Sequence, residues 1–117
     1  MKGLGDVIQS LATRDGVEGV LLLSADGLTI QQSTRGAFEA ETVAALAATL
    51  AQHAGRLGQG AARGDLQTAV LEFAGGMLIL ARVGGGDWLA VLARAQADVG
   101  PLLYDLRQHR PALTALL

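Results

Sequence analysis

The 117-residue chain is half hydrophobic but only 3% aromatic, carries a formal charge of −2 and contains no cysteine. It has the length of one domain, residues 1–117, able to bury roughly two thirds of the surface its unfolded form exposes, and aliphatic side chains must build the core, which excludes aromatic cages and base-stacking platforms. Without cysteine there is no disulfide scaffold, thiolate metal site or cysteine nucleophile, and nine basic residues spread singly from Lys2 to Arg110 give nucleic acid no cationic stripe to bind.

Leu4, Val7, Ile8 and Leu11 follow the spacing of an amphipathic helix, which Asp15-Gly16 stops, so a first helix is expected near residues 3–14. Val17 to Ser24 reads as a strand, Ala25-Asp26-Gly27 as a tight turn and Leu28 to Ser33 as the returning strand, because Asp-Gly accepts the positive φ values of a hairpin. After a loop at Thr34-Arg35-Gly36, residues Phe38 to Leu57 read as a long helix with three arcs. Glu41, Thr42, Thr49, Gln52, His53 and Arg56 form a polar arc; Val43, Leu46, Leu50 and Leu57 form a second; Ala40, Ala44, Ala47, Ala48, Ala51 and Gly55 form a third. A helix with one polar third should be covered on two sides. The leucine arc suits the core, and the alanine arc suits close approach by a second copy of the same helix.

The helix ends where Gly55, Gly58 and Gly60 accumulate. Leu66 to Phe73, Met77 to Val83 and Trp88 to Arg94 then form a three-stranded antiparallel meander, punctuated by Gly75-Gly76 and Gly84-Gly85-Gly86-Asp87. The last two runs are almost continuously apolar and are expected to be central; Gln67, Thr68 and Glu72 place the first nearer an edge. Gly100-Pro101 opens a final helix, with Leu102, Leu103 and Leu106 on its apolar side, and Pro111 is expected to end or kink it. The tail from Ala112 to Leu117 is apolar and receives no element. The expected fold is α+β, an α/β sandwich of order αββαβββα whose five-stranded, antiparallel-rich sheet lies between helices.

No residue constellation supplies catalysis. The glycine-rich segment Gly55 to Gly64 follows a helix and opens a strand, the reverse of a dinucleotide fingerprint, and Arg63 stands where the third glycine should fall. Lys2 is the sole lysine, so the other nucleotide loop is excluded too. His53 and His109 lack a second ligand at metal spacing, and Ser24 lacks the elbow that would make a triad of Ser24, His53 and Asp26 work. Glu39 and Glu41 suit a helix N-terminus, Asp98 suits a helix cap, and Glu72 and Arg82 suit cross-strand pairing. Arg63-Gly64-Asp65 reads as a loop. No catalytic residue, cofactor site or metal site is therefore assigned. The apolar runs are too short to span a bilayer, and an acid as early as Asp6 argues against a secretory leader, so a cytoplasmic location without membrane insertion is expected.

The run Leu66 to Phe73 carries no proline, lysine or central glycine to block pairing at an edge. Antiparallel pairing of two copies would extend the sheet across a twofold axis and bring the long helices together; a loop or the apolar tail covering the edge is the alternative. The expected contact comprises Ala40, Ala44, Ala47, Ala48, Ala51, Leu66, Thr68, Val70 and Glu72.

Val17-Glu18-Gly19-Val20-Leu21-Leu22-Leu23-Ser24-Ala25-Asp26-Gly27-Leu28, followed by an Ala/Leu-rich helix, a Gln67-Thr68-Ala69-Val70-Leu71-Glu72 strand, a Gly-Gly turn and an apolar strand ending near Arg82, resembles the roadblock/dynein light chain family within the roadblock and longin folds. The resemblance covers nearly the whole chain. It implies a dimer joined through the long helix and third strand, with no catalytic residues of its own. It further implies a minimal bacterial adaptor whose partners are a second copy and a small Ras-like GTPase, since bacterial members bind such GTPases and some stimulate hydrolysis. The alternatives are a small-molecule sensor and a purely structural scaffold subunit of a signalling or motility complex.

Overall fold

The computed structural model describes residues 3–117; Met1 and Lys2, on which the reading of the amino terminus partly rests, lie outside the described residues. The elements are α1 (Leu4–Ala12), β1 (Val17–Leu23), β2 (Thr29–Thr34), α2 (Ala40–Gly60), β3 (Thr68–Phe73), β4 (Gly76–Val83), β5 (Asp87–Arg94) and α3 (Val99–Leu116). Their order is the expected αββαβββα. The five strands form one sheet in the order β2-β1-β5-β4-β3, antiparallel throughout. β1 pairs with β5 because α2 carries the chain across the sheet between β2 and β3. As the apolar runs predict, β4 and β5 are interior strands and β3 is an edge.

Helices cover both faces. On one, Val7, Ile8 and Leu11 of α1 and Leu102, Leu106 and Leu113 of α3 meet Val20, Leu22, Ile79, Val83, Leu89 and Val91. On the other, Ala44, Ala47 and Ala51 of α2 meet Leu21, Leu23, Leu80, Trp88 and Ala90. Apolar residues on both faces explain why β4 and β5 read as continuous hydrophobic runs instead of alternating ones.

Local chemistry fixes the ends of these elements. Asp6 accepts a hydrogen bond from the Gly3 N–H at 3.0 Å at the start of α1, and Arg35 donates to the Ala12 carbonyl at its end, placing a cation at the negative pole of the helix. The hairpin closes by Ser24 N–H to Leu28 C=O at 2.9 Å, with Gly27 at φ +85. Asp98 caps α3 by accepting from the Gly100 N–H at 3.2 Å.

Two expectations change. α3 continues through Pro111 to Leu116, taking in most of the tail left without an element. A proline inside a helix costs about 3 kcal/mol, but Leu113 beyond it is fully buried in the core, and the Thr114 hydroxyl accepts from the Gly84 N–H at 3.1 Å. Glu72 and Arg82 do not pair: Glu72 lies opposite Met77 in the ladder, while the Arg82 guanidinium sits 5.8 Å from the centre of the Trp88 ring.

Candidate functional site

The alanine arc of α2 faces the core, and of the leucine arc only Val43 and Leu50 pack against the same cluster, while Leu46 and Leu57 stay exposed. Ala44, Ala47, Ala48 and Ala51 are buried within the protomer, and three of them pack on the sheet; Ala40 is half-buried against the same cluster. Leu46 is 64% exposed and Leu57 is 74% exposed, with Val43 and Leu50 half-buried between. The physical reason is the β1–β2 turn. A β-carbon on Gly27 would lie 3.1 Å from the Ala45 α-carbon and 3.3 Å from the Ala48 β-carbon, so the helix backbone rests almost directly on the hairpin. Alanine permits that approach and leucine does not. The small-residue face therefore serves the chain's own hairpin, and the leucine flank is left open.

That flank borders a groove. Val43, Leu46, Ala47 and Leu50 of α2 form one wall, and Leu71, Phe73, Leu78 and Leu92 of the sheet form much of the rest, enclosing about 420 Å³. Glu18 is the sole charged side chain among the groove's residues. Phe73 at its outer end is 60% exposed. Contiguous apolar surface of this kind marks an interaction site more often than a surface left bare by chance.

The edge strand forms the groove's outer boundary, and its backbone has a defined polarity. The Arg82 N–H donates to the Gln67 carbonyl at 2.9 Å, and the ladder continues from there with Thr68 opposite Ala81 and Ala69 opposite Leu80. In an antiparallel ladder, hydrogen-bonded and non-hydrogen-bonded pairs alternate. Ala69, Leu71 and Phe73 thus spend their N–H and C=O groups on β4, whereas those of Thr68, Val70 and Glu72 point away from the sheet. Side chains alternate in step. Ala69 and Leu71 join the α2 side, and Thr68 lies on the α3 side, where its hydroxyl accepts from Arg110 Nη2 at 3.2 Å. The C-terminal tail does not cover this edge; it ends near Gly84, whose added β-carbon would meet Leu117 at 3.3 Å.

Of the expected contact residues, the structure thus brings Thr68, Val70 and Glu72 together on one free edge. Leu66 is half-buried beneath α2, and the alanines pack inward, with Ala47 also bordering the groove. Leu46, Leu50, Leu71 and Phe73, which are not among the expected contact residues, line the groove beside this edge, and Arg110 reaches Thr68 on its other side. For the two α2 leucines the signal is the Asp26-Gly27 turn, which needs a small-residue helix face above it.

The remaining polar candidates have local roles. The Ser24 hydroxyl accepts from the Leu28 N–H at 3.1 Å, His53 is exposed on α2, and His109 Nδ1 lies 2.8 Å from the Asp105 carbonyl. Arg14 pairs with Asp105, and Arg94 pairs with Asp15 at 3.4 Å. Among the described residues, no group of three His, Cys, Asp or Glu side chains is placed to hold a metal ion, and no helix is long and apolar enough to cross a membrane.

Comparison with known proteins adds an independent line. The Roadblock/LC7 domain family matches residues 4–93. A Roadblock/LC7 domain from Streptomyces avermitilis is 30% identical, with 96% of this chain and 98% of that one covered and a TM-score of 0.81. MglB of Myxococcus xanthus superposes with a TM-score of 0.89 at 18% identity, covering 97% of this chain and 93% of that one. The gliding protein MglB of Thermus thermophilus gives 0.88 at 17%, covering 97% and 87%. At these identities the two MglB structures speak to the fold alone. No protein of curated function matches the chain.

Proposed function

Because the chain belongs to the Roadblock/LC7 family, we propose that it is a non-catalytic homodimeric adaptor that binds and regulates a small Ras-like GTPase in the cytoplasm, with residues 1–117 acting as one domain. Family membership supports the GTPase-regulator role. The observation that carries the dimer is the free edge of β3 beside the open leucine flank of α2. Outward backbone groups at Thr68, Val70 and Glu72 require partners when apolar neighbours are covered, and a second copy offers the same three groups in antiparallel array. One association would pair both edges and cover both grooves, giving a ten-stranded sheet with the two α2 helices side by side.

The dimer is a platform and not an active centre. Nucleophile, base and metal constellation are missing from the residues that line the groove, so any acceleration of GTP hydrolysis would come from positioning the GTPase's own groups or from lending it an arginine. A small-molecule sensor fits less well. The groove is open and nearly without polar groups to orient a ligand, whereas ligand pockets combine enclosure with a few convergent polar contacts.

The test has two parts. Light scattering on the purified protein should report twice 12.0 kDa at micromolar concentration. Titration with small GTPases encoded nearby, loaded with GTP or GDP, should then show nucleotide-dependent binding or altered hydrolysis. Absence of both effects with every such GTPase would remove the regulator role.

A further inference from the structure

We infer that Arg110 sets the register of self-association by pairing with Glu72 of the partner subunit across the β3 edge, which fixes the twofold axis at Val70. The inference rests on the dimer proposed above and specifies what holds it in one alignment.

Two observations lead to it in sequence. The first is the backbone polarity of the edge. Thr68, Val70 and Glu72 direct their hydrogen-bonding groups outward, and β3 ends at Phe73. A twofold axis through Val70 places Val70 opposite itself and Thr68 opposite Glu72, so all three residues find full partners. An axis through Ala69 or Leu71 is compatible with the same alternation, but it pairs two of the three within the strand and sends the third against a residue outside it. The ladder is most completely satisfied at Val70.

The second observation is the state of Arg110. Its Nη2 donates to the Thr68 hydroxyl; its Nε is sealed inside the protomer without a partner, so the Nη edge is the part of the guanidinium that a second chain can reach. Neither ion pair among the described residues includes it. The two Nη atoms of a guanidinium present N–H groups that a carboxylate can accept in a charge-assisted bond. In the Val70-centred register, residues opposite Thr68 have their α-carbons about 5.5 Å away and their side chains on the same face. The residue there is Glu72 of the partner subunit, on the α3 side where Arg110 lies. Glu72 is exposed in the protomer and makes no ion pair there. By symmetry the contact occurs twice, once on each side of the axis.

Charge reversal tests the pairing. Glu72→Arg and Arg110→Glu should each weaken dimerisation at least about tenfold in sedimentation equilibrium, and the double variant should return to within about threefold of the original protein. Circular dichroism melts establish that each variant is folded. The absence of native cysteine permits a second readout: under mild oxidation Val70→Cys should cross-link to itself, faster than Ala69→Cys or Leu71→Cys. A dimer whose double reversal fails to recover, or which cross-links fastest at position 69 or 71, overturns the register while leaving the dimer intact. A monomeric original protein overturns both.

Discussion

Replacing Leu46 with alanine separates the contribution of the leucine flank from that of the protomer's own core. Complete burial of a leucine side chain gains about 1.5–3 kcal/mol. Leu46 is 64% exposed in the protomer, so covering it in a dimer would gain about 1–2 kcal/mol, and the twofold axis doubles this to about 2–4 kcal/mol. Alanine keeps the β-carbon, which leaves a loss of about 1.5–3 kcal/mol, or a dissociation constant roughly ten- to 150-fold higher. Sedimentation equilibrium measures it directly. Urea unfolding below the dissociation constant should change by less than about 0.5 kcal/mol, because an exposed side chain contributes little to the protomer. The neighbouring Ala47→Leu should instead lower the stability of the protomer itself. Ala47 is buried against the sheet, and three added carbons there would cost the protomer about 1–3 kcal/mol by overpacking. An unchanged dissociation constant for Leu46→Ala would refute the outward leucine flank as the contact.

Gly27→Ala should destabilise the protomer by at least about 1–2 kcal/mol in chemical denaturation, since φ is +85 there and the new β-carbon would press on the α2 backbone. Leu113→Ala should cost about 2–5 kcal/mol; a negligible loss would mean that the helix beyond Pro111 is not docked. Arg82→Ala should remove a cation–π contact worth about 0.5–1 kcal/mol, and fluorescence should report it as a change in the emission of Trp88, the only tryptophan.

The element order is legible in the sequence because its signals are local. Asp26-Gly27, Gly75-Gly76 and the Gly84 to Gly86 run punctuate apolar segments of strand length, and the edge position of β3 follows from Gln67, Thr68 and Glu72 interrupting its hydrophobicity. The facing of α2 is not legible from periodicity alone. A helix with leucine on one flank and alanine on the next has two apolar surfaces, and hydrophobicity favours burying the larger side chains. Separation decides otherwise: Gly27 brings the hairpin so close to Ala45 and Ala48 that only small residues fit between. The course of α3 past Pro111 is hidden for a similar reason, because the burial of Leu113 is a tertiary fact that overrides a local breaker. Arg110, lying 42 positions from Thr68, gives no local sign that it reaches β3.

The free edge of β3 divides two unlike surfaces. On the α2 side lie Leu71 and Phe73 with the leucine flank; on the α3 side lie Thr68, Val70 and Glu72 with Arg110 above Thr68. Apolar burial is tolerant of its partner, since many aliphatic surfaces would fill the groove at similar gain. The half-buried Arg110 guanidinium is less tolerant, because a partner without a carboxylate opposite Thr68 would cover its Nη edge and leave that charge unpaired. The apolar side would therefore supply most of the affinity and the polar side most of the discrimination. A related domain with a neutral residue at the position of Glu72 should fill the groove and still lose to a second copy of this chain in a mixed population. Native mass spectrometry of such a mixture should give homodimers in excess of the statistical share; a statistical distribution of heterodimers would show that the polar side does not select.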